Sequence, residues 1–262
     1  IMVFDQNLRD SEKEKIEGYL AHKWGVIGDL AQTGYTIRDG LVLYYPFNES
    51  DGSTIQDYSS ELRDAQAIDA SLDTDGQFGS GIEFFPDLNN SRILLPEGNS
   101  FSVNSKIWTL STWFYAPLPT TGADDFHALF NEYLEPYVAF NFSPKSLMLY
   151  DGSSFSDTTY EFDDAPGWHH LVIRSSVSSM EFFINGVLED SFNKGILLNI
   201  ESIGNLFGGY GTFAEKMDDF RIYSRGLTNS EVYELYGNKE GDFGYHPYQD
   251  FPPEFDNIPE VL

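Results

Sequence analysis

Trp108-Thr109-Leu110-Ser111-Thr112-Trp113-Phe114-Tyr115 trades polar and apolar residues at a period of two, as a half-buried strand requires and a helix does not. Downstream, Met180–Ile184 and Val187–Leu188 flank Asn185-Gly186, the residue pair that best tolerates the two positive φ angles of a type I′ hairpin turn. Comparable runs are Leu41–Phe47, Gly81–Phe85, Ser91–Leu95, His127–Asn131, Tyr137–Phe142, Ser146–Tyr150, Trp168–Ser175, Ser202–Phe207 and Met217–Tyr223. Clusters of Gly, Asn, Asp, Pro or Ser separate them. No ten-residue helical stretch lies between them, so crossover helices and a parallel sheet are not expected. The predicted body is all-β, an antiparallel sandwich or barrel.

Two short helices punctuate this pattern. Asp10 or Ser11 caps a segment whose Ile16, Tyr19, Leu20 and Trp24 recur at helical spacing. Thr228 or Asn229 opens a second helix that runs through Tyr236 to Gly237. The two segments match each other: Val3-Phe4, then Leu8-Arg9-Asp10-Ser11-Glu12, aligns with Ile222-Tyr223, then Leu227-Thr228-Asn229-Ser230-Glu231, at one constant spacing. Strand, loop and helix agree in order, so residues 1–39 read as the terminal strand and helix of a preceding copy plus a linker. Residues 40–237 form the main domain. Residues 238–262, with Pro247, Pro252, Pro253 and Pro259 among acids and aromatics, read as an extended linker.

The 262 residues carry 42 Asp+Glu against 15 Lys+Arg, a net charge of −27. Nucleic acids and anionic membrane surfaces repel such a chain, which sets both aside as partners. Twenty-two Phe and 16 Tyr supply a large core. No uncharged apolar run approaches the roughly 20 residues that span a bilayer. With no Cys at all, disulfides, thiolate metal sites and Cys nucleophiles are excluded together. Acidity without cysteine suits a secreted or cell-surface bacterial protein.

From Gly40 to Gly237 the chain resembles the laminin-G-like, concanavalin A-like jelly rolls of large secreted bacterial proteins. The motifs are Gly40-Leu41-Val42-Leu43-Tyr44-Tyr45-Pro46-Phe47-Asn48-Glu49-Ser50, Asp57-Tyr58-Ser59, Phe78-Gly79-Ser80-Gly81-Ile82-Glu83-Phe84 and Leu110-Ser111-Thr112-Trp113-Phe114. Gly167-Trp168-His169-His170-Leu171-Val172, Phe183-Ile184-Asn185-Gly186-Val187 and Met217-Asp218-Asp219-Phe220-Arg221-Ile222-Tyr223 complete the series in family order. The resemblance implies two face-packed antiparallel sheets, a structural calcium and a sugar-binding role. Carried over by position, the calcium candidates are Asn48, Asp51, Gly52 and Asp57 from the first loop and Asp218 and Asp219 from the last strand. A carboxylate buried there without a counterion is costly, which argues for a cation. The alternative is that Asp218 or Asp219 pairs with Arg221 or Arg225 and that Asp57 makes only an Asx turn. Asn48 stands where an acid is common, and Glu61-Leu62-Arg63-Asp64 replaces a Gly/Asn-rich turn, so the chain departs from the family at the calcium loop.

Catalytic patterns are missing. Glucanases of this fold set acids at alternate positions of one strand, about 5 Å apart; Glu132-Tyr133-Leu134-Glu135 has the wrong spacing. There is no nucleophile elbow. His169-His170 lies on a strand, one ring in and one out, without a third ligand for zinc. Asp69 to Gly76 half-resembles an EF-hand loop, but its twelfth position falls on Ile82, so an acidic turn is expected. Trp108, Trp113 and Trp168 are assigned to the core. For sugar recognition the candidates are Asn131, Tyr133, Tyr150, Asp151, Tyr160 and Tyr210, rings and polar groups expected in loops. The sequence thus reads as a non-catalytic extracellular module for adhesion or carbohydrate binding, with glycans or neighbouring copies as partners. The alternative is a filament subunit assembled by strand or helix exchange.

Overall fold

A computed structural model describes residues 35–85, 91–95, 101–120, 126–131, 136–204 and 211–237. One compact unit spans Asp39–Gly241; a second comprises Ile1–Arg38 with Asp242–Leu262, of which a single 3-10 turn, Tyr35–Arg38, is described. The helix expected over Asp10–Trp24 and the tail 238–262 lie outside the described residues.

The strands, in order, are β1 Leu41–Tyr45, β2 Thr54–Ile55, β3 Ala65–Ile68, β4 Ala70–Asp75, β5 Ser80–Phe84, β6 Arg92–Leu94, β7 Phe101–Val103, β8 Trp108–Ala116, β9 Phe126–Ala128 and β10 Phe130–Asn131. They continue with β11 Tyr137–Asn141, β12 Ser146–Tyr150, β13 Phe155–Asp157, β14 Gly167–Ser175, β15 Met180–Ile184, β16 Val187–Phe192, β17 Leu198–Ile200, β18 Ser202–Gly204, β19 Gly211–Thr212 and β20 Lys216–Tyr223. Helix α1, Asn229–Gly237, follows. The large sheet runs β16-β15-β14-β8-β20-β5-β4, with β1 also on β20. Opposite it stand two five-stranded sheets, β10-β18-β6-β3-β2 and β13-β12-β11-β9-β19, and a β17-β7 ribbon. Leu110, Phe114, Ile173 and Ile222 from the large sheet share one apolar cluster with Ile93, Phe130, Val138 and Phe140 from the smaller ones. This is the antiparallel sandwich expected, save that β19 pairs with β9 in parallel.

Period-two alternation explains the central strands. Ser111, Trp113, His170 and Val172 lie on the face of the large sheet turned from the apolar cluster, and their neighbours face in. The Asn185-Gly186 turn joins β15 to β16 with φ of 51° and 79°, as type I′ geometry requires. On the outer face sits α1. Its capping box is closed: Thr228 N donates to Glu231 Oε2 at 2.7 Å, and Glu231 N donates to Thr228 Oγ1 at 3.2 Å. Val232 and Leu235 are buried, and Tyr236 stacks on Trp113 with centroids 5.9 Å apart. Two expectations change. Trp168 is only half-buried, edge-on to Tyr115, because β14 ends there at the sheet margin; the Asp69–Gly76 segment is mostly strand β4, paired with β5. No helix among the described residues is long and apolar enough to cross a membrane.

Candidate functional site: a ring-covered face and a buried charge cluster

The sheet of β9, β11, β12 and β13 sends Val138, Phe140, Leu147 and Leu149 into the core. Its other face is set by register: Tyr137 faces Tyr150, which faces Phe155; Ala139 faces Met148, which faces Asp157; Asn141 faces both Phe126 and Ser146. Four rings gather there. Centroid separations are 6.0 Å for Phe126–Tyr137, 5.2 Å for Tyr137–Tyr150, 4.9 Å for Tyr150–Phe155 and 6.3 Å for Phe126–Phe155. Phe126 and Tyr137 start from opposite ends of their strand pair and meet over Ala128 and Ala139, two small residues that leave room for rings to lie across the strands. Both alanines are buried as a result, while Phe155 remains 55% exposed.

A polar group closes one side of the rings. Asn141 Nδ2 donates to Asp157 Oδ1 at 2.8 Å, and Ser146 Oγ donates to the same oxygen at 3.3 Å. Asn141 Oδ1 accepts from Ser143 N, which fixes the amide's orientation. Beside them is a cavity of about 460 Å³ lined by Phe126, Asn141, Phe142, Ser143, Met148 and Phe155. A second hollow of about 500 Å³ shares Phe142 and Ser143 and continues past Lys145 to Glu161, Asp163 and Asp164. Rings with a fixed carboxylate and amide at their edge are the requirements for stacking a pyranose and orienting its hydroxyls.

Of the six sugar candidates, Tyr150 lies in this face. Asp151 follows it in a turn, pairing with Lys194 and accepting from Ser153 N and Ser154 N; Lys194 first, then these donors, hold its carboxyl well below the usual range. Tyr160 is half-buried against Phe162, and burial, then Glu189 and Asp163, push its hydroxyl pKa up. Asn131 pairs through its backbone with Ser202 in the neighbouring sheet. Tyr133 and Tyr210 lie outside the described residues. Phe126, Asn141, Met148 and Asp157 were missed. The readable signal was the i, i+2 pattern Tyr137-x-Ala139-x-Asn141 and Ser146-x-Met148-x-Tyr150.

The metal candidates separate. Asp57, 2% exposed, accepts from Tyr44 N, Ser59 N, Ser59 Oγ and Arg63 N at 2.8–2.9 Å, so both its oxygens are occupied in an Asx-turn network. Asp219 pairs with Arg221 at 2.7 Å, both buried. Asp51 and Gly52 lie in an exposed turn. Asn48 and Asp218 alone meet a common element: Asn48 Oδ1 accepts from Ser80 N at 3.1 Å and Asp218 Oδ2 from Phe78 N at 2.8 Å. Asp218 Oδ1 is buried with no hydrogen-bond partner among the described residues, and burial, then Asp219, raise the carboxyl's pKa to about 8. Among the described residues no three His, Cys, Asp or Glu side chains converge to hold a metal. The six candidates therefore do not form one carboxylate cage.

Ser111 Oγ lies 2.8 Å from His170 Nε2, a contact with the look of a nucleophile and base. Both are buried, and burial, then Arg221, lower the imidazole pKa to about 3. Tyr236 stacks on that imidazole, its centroid 6.3 Å away. The pair is buried between the outer face of the large sheet and α1.

The profile of the concanavalin A-like lectin/glucanases superfamily, Laminin_G_3, matches residues 87–233, more than half of the chain. Human usherin (Homo sapiens) is 35% identical over 79 residues, 26% of this chain and 2% of its own length. Mouse usherin (Mus musculus) is 29% identical over 86 residues, 29% of this chain and again 2% of its own length. Among solved structures, the binding domain of Paraclostridial Mosquitocidal Protein 1 superposes with a TM-score of 0.57 at 23% identity, covering 77% of this chain and 52% of that one. The binding domain of botulinum neurotoxin DC in complex with SialylT gives 0.56 at 14%, with the same coverage. The chain thus spans about half of those domains, and at such identities they share its fold. With the sandwich, the hairpin and the motif order all in agreement, the chain belongs to the concanavalin A-like lectin/glucanases superfamily as a laminin-G-type domain.

Proposed function

We propose that this domain is a non-catalytic, extracellular carbohydrate-binding or adhesion module, and that it holds its glycan on the rings of β9, β11, β12 and β13. The observation that carries this is the convergence of Phe126, Tyr137, Tyr150 and Phe155 beside the Asn141–Asp157 pair and an open cavity. It is supported by the fold the chain shares with toxin binding domains, one of them in complex with SialylT, and by the stretch similar to usherin. A glycan array tests it. The wild type is expected to give hits, and Tyr150→Ala/Phe155→Ala, which removes two stacking rings worth about 1 kcal/mol each, should weaken them about 10- to 30-fold without unfolding the protein. An array without hits would remove the assignment.

Calcium enters this reading at one place, the Gly76–Ser80 turn, where Asp218 Oδ1 and the Asn48 amide supply oxygen donors. A bound ion would supply the positive charge that the buried Asp218 carboxylate lacks.

Self-association is the second reading. The match between Val3-Phe4 and Ile222-Tyr223 favours it, since β20 already pairs with β1, β5 and β8 in this domain. A second copy of that strand finds equivalent partners only in another copy of the domain. Concentration-dependent assembly, abolished by deleting residues 1–7, is expected; a monomer at all concentrations would exclude it.

A further inference from the structure

The charge around the rings narrows the ligand. Asp157 is exposed, and only its Oδ1 is engaged among the described residues, leaving Oδ2 free to bind. The hollow that continues from the rings is lined by Glu161, Asp163 and Asp164, against one cation, Lys145. That cation is already committed, since Lys145 Nζ donates to Asp164 Oδ1 at 2.6 Å. On the other side, Lys194 is paired with Asp151. The lining described here therefore holds carboxylates facing open space and no uncommitted ammonium or guanidinium, on a chain of net charge −27. A sialylated, sulfated or uronic glycan would bring its anion against these carboxylates with no cation to receive it. An ammonium on the sugar meets the reverse situation.

From the ring face and its acidic extension we infer that the glycan is a cationic, amine-bearing polymer of glucosamine type, stacked on Phe126, Tyr150 and Phe155, with an ammonium at Asp157 and others along Glu161 and Asp163. The inference rests on the carbohydrate-binding reading above and names its ligand class. Each exposed pair is weak and screened by salt, so preference arises from several pairs acting along an oligomer. Stacking supplies the part of the affinity that salt does not touch.

The test is calorimetric titration of the full chain, at low salt and mildly acidic pH, with glucosamine hexamer, N-acetylglucosamine hexamer and sialyllactose. The glucosamine hexamer is expected to bind at least tenfold more tightly than the acetylated one, with most of that margin lost in 0.5 M salt and sialyllactose silent. Asp157→Asn should cut the margin severalfold, weakening the glucosamine hexamer more than the acetylated one, and Tyr150→Ala/Phe155→Ala should weaken both hexamers. Equal binding of the two hexamers, or binding of sialyllactose, with loss in the ring variant, would overturn the amine inference and leave the carbohydrate reading standing. Glucosamine hexamer binding that survives in the ring variant would overturn it as well, showing general attraction of a polycation to an acidic chain. Silence from every sugar, on a broad array too, would remove the carbohydrate reading beneath it.

Discussion

Arg221→Met is expected to lower the unfolding free energy by about 3–5 kcal/mol, read as a lower midpoint in urea denaturation at unchanged slope. Arg221 is 1% exposed on the central strand β20. Its Nη2 donates to Asp219 Oδ1 at 2.7 Å and to the Tyr44 hydroxyl at 3.1 Å, and its guanidinium lies 4.3 Å from the centroid of the Tyr44 ring. Although burial works against the charged form, Asp219, then Tyr44, hold its pKa above the ordinary arginine value, so the cation persists. Methionine fills much of the volume but leaves the Asp219 carboxylate buried with its countercharge gone, and that desolvation is the larger part of the loss. The double variant Arg221→Met/Asp219→Asn removes both charges. It should recover most of the stability, since asparagine also tolerates the φ of 54° at position 219. A single variant as stable as wild type would mean that the pair contributes nothing, and a double variant as unstable as the single would place the loss in packing.

The same strand shows where sequence reading stopped. In Met217-Asp218-Asp219-Phe220-Arg221, simple alternation puts Asp218 and Phe220 on one face. The register of β20 against β8 shifts between Asp218, opposite Trp113, and Arg221, opposite Ser111: three steps on one strand against two on the other. This bulge, with Asp219 at positive φ, sends Phe220 into the core and places Asp218 and Arg221 together on the outer face. Strands such as β8, β12 and β15 were legible because each is a run of five or more residues rich in apolar and aromatic side chains; β2 and β19, of two residues each, have no period to read. The ring face was half legible. Tyr150 stood out as an aromatic, but Phe126 and Phe155 reach it from strands brought alongside by two separate pairings, and no local spacing encodes that. Asp57 read as a ligand because the family resemblance carried its position over; its partners turned out to be backbone amides and the Ser59 hydroxyl, the Asx-turn alternative.

Asp218→Asn is expected to stabilise the protein above about pH 8 in the presence of a chelator, and to flatten its stability profile between about pH 4 and 8. An unfolded aspartate titrates near 3.9, whereas burial, then Asp219, raise the folded group to about 8. Within that window the folded chain holds a proton that the unfolded chain has released. Its contribution is therefore complete below about pH 4 and is lost as the pH rises through the folded value. At about 1.4 kcal/mol per unit the loss reaches a few kcal/mol. Asparagine carries no charge to desolvate at any of these pH values, and its carbonyl oxygen can take over the hydrogen bond from Phe78 N. A calcium ion bound at Asp218 Oδ1 and Asn48 would reverse the sign, because it would favour the ionised carboxylate and so stabilise the folded chain where the proton is absent. Added calcium should then raise the melting temperature of the wild type by several degrees at pH 8 and leave Asp218→Asn unmoved. Equal melts with and without calcium would remove the ion from the Gly76–Ser80 turn while leaving the proton-linked effect intact. A wild-type profile flat from pH 4 to 8 in chelator would show instead that Asp218 ionises freely, and that its unpartnered oxygen reaches water.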